Sequence, residues 1–205
     1  MLQHPAAVRA AFEEASNDLL RTLRAVQETG QWDAPSGVGA WTVRELAAHA
    51  VRSFTALQHA VADEPKVDRM IADAAEYYGT ALASSDVHAA VAKRGRDGGR
   101  DLIDPVGQAE PLVEQVSSMV ASMGDDDPVN TIVGQMTLSE YLATRVVEIG
   151  VHTLDLQRAT GQFTELHPDT SAVILSVLMG MASPVPLILA LTGRVSLPAG
   201  HNVLS

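Results

Sequence analysis

The chain has no cysteine, and that absence removes three chemistries at once: disulfide stapling, cysteine-based metal sites and a cysteine nucleophile. If sulfur chemistry occurs here, the sulfur must arrive on a small molecule. Aromatics are also scarce, with two Trp, three Tyr and three Phe, although 46% of the 205 residues are hydrophobic. Ala, Val and Leu dominate, a mixture that favours packed helices over a sandwich. Lysine is confined to Lys66 and Lys93, and the net charge is −11. A general nucleic-acid or anionic-membrane binder draws its affinity from clustered Lys and Arg, so both partners are excluded as expectations. Residues 1–10 show no charged region followed by an apolar core, so no signal peptide is expected. The most apolar run, residues 172–191, carries Pro184 and Pro186; a buried helix ending near Ser183 is expected there, not a membrane span. A soluble, cytoplasmic protein is the expectation.

A chain of this length forms one large domain, or a domain with an appendage, around a substantial core. Apolar positions recur at helical spacing through residues 5–29 (Val8, Phe12, Ala15, Leu19, Leu23, Val26), and Gly30 is a plausible stop. The loop that follows holds Trp32, read as an anchor on the helices. Thr42 with Glu45 three residues later is a capping box, so a second helix begins there and carries His49 and Arg52. Further helices are expected over 67–82, from Ser85 to about Lys93, and over 111–123. The glycine-rich stretch 95–101 lacks a phosphate-loop pattern and reads as a connector. Asp125-Asp126-Asp127 lacks the alternating ligand spacing of an EF-hand and reads as a solvated turn. Thr137 and Glu140 form a second capping-box pattern, opening a long helix that closes near Gly161. One more helix, 168–183, and a short turn around 187–191 complete the chain.

The long helix carries the residues of most chemical interest. Glu148 and His152 are four apart and so project from one face. A carboxylate and an imidazole suit zinc or another divalent transition metal, and our reading is that they hold one together with His49. Seven histidines in so acidic a chain yield about one such pair by chance, and a plain His–Glu hydrogen bond on a helix surface is the alternative. The second pair, Glu45 and His49, has its own explanation in the capping box. Arg145, three residues before Glu148, falls near any bound metal; Asp155, three after His152, is placed to hydrogen-bond that imidazole from behind. For both, an intrahelical ion pair remains the competing reading.

Taken together, W-T-V-R-E-L-A-A-H (Trp41 to His49) and R-V-V-E-I-G-V-H-T-L-D-L (Arg145 to Leu156) resemble the DinB-like metal-binding helical bundles, specifically the amino-terminal domain of mycothiol-dependent maleylpyruvate isomerases. The resemblance covers roughly residues 5 to 161. It implies an all-α fold, a DinB-like four-helix bundle over 1–161 with a helical C-terminal extension at 162–205 packed on it. It implies a divalent metal, usually zinc, on His49, Glu148 and His152; many DinB-like members have a third His where this chain has Glu148, whereas the mycothiol branch has Glu. It also implies mycothiol or another low-molecular-weight thiol as cofactor, an electrophilic small-molecule substrate, and a homodimer. Arg52 or Arg145 would bind a substrate carboxylate or the thiol. The isomerases of this family have a substantial second domain, and only residues 162–205 follow the bundle here, so a transferase is as much implied as an isomerase. Two other readings stay open: a non-enzymatic metal-binding or interaction protein on the same bundle, and a metal-dependent hydrolase.

Overall fold

The computed structural model describes residues 4–65, 67–83, 93 and 97–204. The helix expected to start at Ser85, with His88, lies outside the described residues, as does the first part of the glycine-rich stretch. Seven helices are labelled: α1 (Pro5–Thr29), α2 (Val43–Ala62), α3 (Ala74–Leu82), α4 (Pro105–Ala121), α5 (Leu138–Ala159), α6 (Pro168–Met181) and α7 (Pro184–Leu191). A short antiparallel hairpin, β1 (Pro128–Asn130) and β2 (Gln135–Thr137), pairs Val129 with Met136. The architecture is all-α. Four helices form a ring in the order α1, α5, α2, α4, each packed on its two neighbours. Phe12, Leu19, Leu23, Leu46, Phe54, Leu57, Leu142, Ile149 and Leu156 are fully buried between them, and Phe12 meets Phe54 edge-on at 6.0 Å. No helix among the described residues is long and apolar enough to cross a membrane.

Helix ends fall where the capping chemistry puts them. Pro5 opens α1, and Gly30 closes it in the left-handed conformation (φ 68°) with its N–H on the Val26 carbonyl. The Thr42 box is reciprocal: Glu45 N–H donates to Thr42 Oγ1 at 3.2 Å and Thr42 N–H donates to Glu45 Oε2 at 2.8 Å. At α5 the pattern is only half made. Glu140 N–H donates to Thr137 Oγ1, but the Glu140 carboxylate accepts from Ala74 N–H at 3.1 Å, tying the start of α3 to the first turn of α5.

Several expectations need correction. The helix expected from 67 begins only at Ala74, capped by Asp73, because residues 69–71 are used as a strand edge: Gln135 N–H donates to the Arg69 carbonyl and Ile71 N–H to the Gln135 carbonyl. The helix expected from 111 begins at Pro105 behind the Asp104 cap, with Pro111 inside it. Residues 97–101 are helical and lie on α2; a Cβ on Gly99 would come 2.6 Å from Glu45 Cγ. Asp125 is not simply solvated. It pairs with Arg9 at 2.6 Å, while the same guanidinium donates to the Val120 and Met123 carbonyls, satisfying the exposed end of α4. The short turn expected around 187–191 is part of a helix, α7, which begins at Pro184 and has no buried residue.

Residues beyond 161 return to the bundle. Helix α6 packs on α1, α3 and α5, burying Thr170, Val173, Ile174 and Val177. The close crossing on α5 depends on Gly150, where a Cβ would stand 2.5 Å from Ile174 Cδ1 and 3.2 Å from Thr170 Cγ2. Gly150→Leu is therefore expected to destabilise the protein by about 1–3 kcal/mol through overpacking, read as a fall in urea midpoint. Ile174→Ala in the same chain should recover part of that loss; strictly additive costs would show that the crossing does not depend on this space.

Candidate metal centre

His49 comes from the second turn of α2, and Glu148 and His152 from successive turns of α5, where those two ring helices pack. The ligating atoms of the three side chains all lie within 4.8 Å of one another. Glu148 Oε2 is 3.5 Å from His49 Nε2 and 3.8 Å from His152 Nε2. The imidazoles face each other edge-on, with ring centroids 4.8 Å apart. These separations exceed an N–H···O hydrogen bond of about 2.7–3.2 Å. They approach the edge of a tetrahedron around a cation with bonds of about 2.0–2.1 Å, which is roughly 3.3 Å. The spacing is wide enough to admit a cation between the three side chains, while His49 and Glu148 stay close enough to interact directly as polar partners.

The two imidazoles are held differently. His152 Nδ1 lies 3.2 Å from Asp155 Oδ2, which keeps its proton on that side and directs the Nε2 lone pair to the centre. His49 is flanked by rings: the Trp41 centroid lies 5.0 Å away at a tilt of 40°, and the His152 ring stands edge-on to it. Its Nδ1 is the one buried side-chain polar atom without a partner among the described residues, so the polar interaction of this ring is made through Nε2, which faces the Glu148 carboxylate. The donor set of two imidazoles and one carboxylate fits a divalent transition metal and leaves a position for an exchangeable ligand.

Glu148 is the electrostatic hub. Its outer oxygen faces the imidazoles, and its Oε1 is 3.0 Å from Tyr78 Oη. Burial pushes its carboxyl up, but the polar contact with His49 and the charges of Arg145 and the histidines outweigh that and bring it down to about 2. His49 is lowered from 6.5, chiefly by burial, with Glu148 opposing and His152 and Arg52 adding. The signs follow by linkage. Glu148 contributes stability above pH 4.5 that is lost as pH falls towards 2; His49 disfavours the folded state as pH falls below 6.5, because the unfolded chain takes up a proton that the buried ring resists.

The sequence-predicted residues sort clearly. His49, Glu148, His152 and Asp155 are brought together. Arg52, partly exposed, is near enough for its charge to act on His49. Arg145 is only 6% exposed; it lies beneath Glu148, with its guanidinium 4.6 Å from the Tyr141 ring and 5.9 Å from Tyr77. Burial opposes its charge, but the Tyr141 and Tyr77 oxygens and the Glu148 carboxylate favour it more, so its proton affinity is raised. Sequence reasoning missed Tyr78, whose hydroxyl meets Glu148, and the role of Trp41 against His49. No sequence signal marked either one; the gathering of all three tyrosines of the chain around Arg145 and Glu148 is a tertiary fact.

The fold and the site define a class, an all-α bundle with a two-histidine, one-carboxylate centre between two of its helices. The chain belongs to the mycothiol maleylpyruvate isomerase N-terminal domain family, whose model matches residues 5–157. That span runs from α1 nearly to the end of α5 and includes every side chain of the centre. No curated protein and no solved structure matches the chain significantly.

In the metal-free protein, imidazole NMR is expected to place the His49 titration below 6.5. Glu148→Gln should lower it further, since the carboxylate is the group that favours the protonated ring. A His49 that titrates at or above 6.5 in the unaltered protein would contradict this arrangement.

Proposed function

We propose that the protein is a metal-dependent thiol transferase or isomerase. His49, Glu148 and His152 hold a divalent metal, best matched by zinc, and mycothiol or a similar small thiol is the cofactor that attacks an electrophilic substrate. The observation that carries this reading is the ligand-like spacing of Oε2 and the two Nε2 atoms. Family membership supports the thiol, and the absence of cysteine leaves a cofactor as the source of sulfur.

When bound, such a metal supplies a positive centre with a vacant position at which a thiol loses its proton near neutral pH. The chain's own residues prepare that centre. Burial keeps His49 neutral, as a ligand must be, and Asp155 orients His152. Arg145 does not reach outward to substrate; its buried charge holds Glu148 ionised. Arg52, at the partly exposed edge, is the candidate for binding a carboxylate of substrate or thiol. Attack by the thiolate sulfur with departure of a leaving group from the same carbon gives S-transfer; addition of the sulfur across a double bond, rotation about the resulting single bond and expulsion of the same thiolate gives isomerisation.

Protein purified without chelators is expected to carry about one zinc per chain by elemental analysis, and His152→Ala to carry little. Loaded protein should conjugate mycothiol to chlorodinitrobenzene, with conjugation lost in His49→Ala. No thiol binding at any metal loading would refute the transferase reading and leave a metal-binding or interaction protein; ester hydrolysis without thiol would favour a hydrolase. Because His49 must be deprotonated to bind and its pKa already lies below 6.5, zinc affinity should fall as pH drops through that lowered range; an affinity that acid leaves unchanged would exclude His49 as a ligand.

A further inference from the structure

We infer that Tyr78 is a positioning residue that holds one oxygen of Glu148, so that the carboxylate offers a cation Oε2 alone. This rests on the metal reading above. Tyr78 comes from α3, outside both helices that supply the ligands, and its side chain is buried. Its Oη is 3.0 Å from Glu148 Oε1 and 3.0 Å from the Thr144 carbonyl oxygen. Both neighbours are acceptors, and the phenol has one proton. The Thr144 carbonyl is one helical turn before Glu148, whose N–H is its α-helical partner. The ionised carboxylate is the stronger acceptor, so the proton goes to Oε1.

The two oxygens of Glu148 therefore have separate duties. Oε1 is engaged by Tyr78, while Oε2 is the atom that faces both imidazole Nε2 atoms. A carboxylate held in this way donates once. The protein then supplies three donor atoms and not four, which suits a small four-coordinate ion with an exchangeable position. It disfavours ions that collect six to eight oxygens and gain from a chelating carboxylate. The position of Tyr78 is itself secured from the same side, since the Ala74 N–H to Glu140 bond fixes α3 against α5 and the Tyr77 ring packs edge-on at 5.5 Å.

The test compares Tyr78→Phe with Ser16→Ala, which removes a buried hydroxyl that donates to the Phe12 carbonyl within α1 and has no contact with the centre. Chelator competition is expected to show zinc affinity reduced about tenfold or more in Tyr78→Phe, the usual cost of losing a partner of a metal ligand, and unchanged in Ser16→Ala. The cobalt-loaded Tyr78→Phe protein should absorb more weakly in the visible, as the freed Oε1 joins the ion and raises its coordination number. X-ray absorption at the zinc edge of the unaltered protein needs no variant and should find the carboxylate bound through one oxygen. Unaltered affinity and spectrum in Tyr78→Phe, an equal loss in Ser16→Ala, or a two-oxygen carboxylate in the unaltered protein would each overturn the inference while leaving the metal site standing. If the unaltered protein takes up no zinc or cobalt, the metal reading itself fails, and the inference with it.

Discussion

A carboxylate set between packed helices has to be compensated, and the surroundings of Glu148 are organised to do so. Removing a charge from water costs several kcal/mol unless opposite charge and hydrogen bonds replace the lost solvent. Here the replacement is distributed over Tyr78 on one oxygen, two imidazoles facing the other, and Arg145 beneath. Arg145 in turn is a buried cation, and Tyr141 and Tyr77 line it with ring faces and phenolic oxygens. In a chain with only three tyrosines, committing all of them to this spot shows where the fold concentrates its polar interior. A cation added between the histidines would further neutralise the carboxylate that the bundle already holds in place.

The bundle serves this centre by controlling helix phase. With 3.6 residues per turn, shifting a helix start by one residue swings every side chain by about 100°. The Thr42–Glu45 box fixes where α2 begins and so which way His49 points. Thr137 does the same for α5 while also ending β2, which couples the hairpin to the orientation of Glu148 and His152. The strand edge at 69–71 and the Glu140–Ala74 bond carry that registration on to α3 and Tyr78. Gly150 lets α6 press against the far side of α5, backing the turn that holds both ligands.

Much of this was legible in residues alone, for identifiable reasons. Apolar spacing in 5–29 and the two Thr-x-x-Glu patterns are strong local signals, and the helices they mark begin where those signals put them. The pairing of Glu148 with His152 follows from helical spacing, whereas the approach of His49 is a tertiary fact that only the family resemblance could anticipate. The late start of α3 was hidden because Val67, Met70 and Ile71 continue a helical pattern, while the backbone of Arg69 and Ile71 is recruited by Gln135, far along the chain. The three-residue strands are too short to show an alternation. Arg145 was expected near the metal on spacing; what spacing could not reveal is that α5 is buried on nearly every face, so that this arginine turns inward to the tyrosines. Tyr78 looked like one more apolar position because its function lies in a hydroxyl contact across 70 residues of sequence.

The chain belongs to the mycothiol maleylpyruvate isomerase N-terminal domain family, and its two histidines and one carboxylate form a group that could hold a cation; the thiol chemistry proposed above rests on both. The most direct measurement of that account is anomalous diffraction at the zinc edge from crystals of protein purified without chelators or added metal. The account predicts a single strong peak bounded by His49 Nε2, His152 Nε2 and one oxygen of Glu148. The absence of any peak there after zinc is supplied, or a His49 ring turned away from the other two side chains, would contradict it.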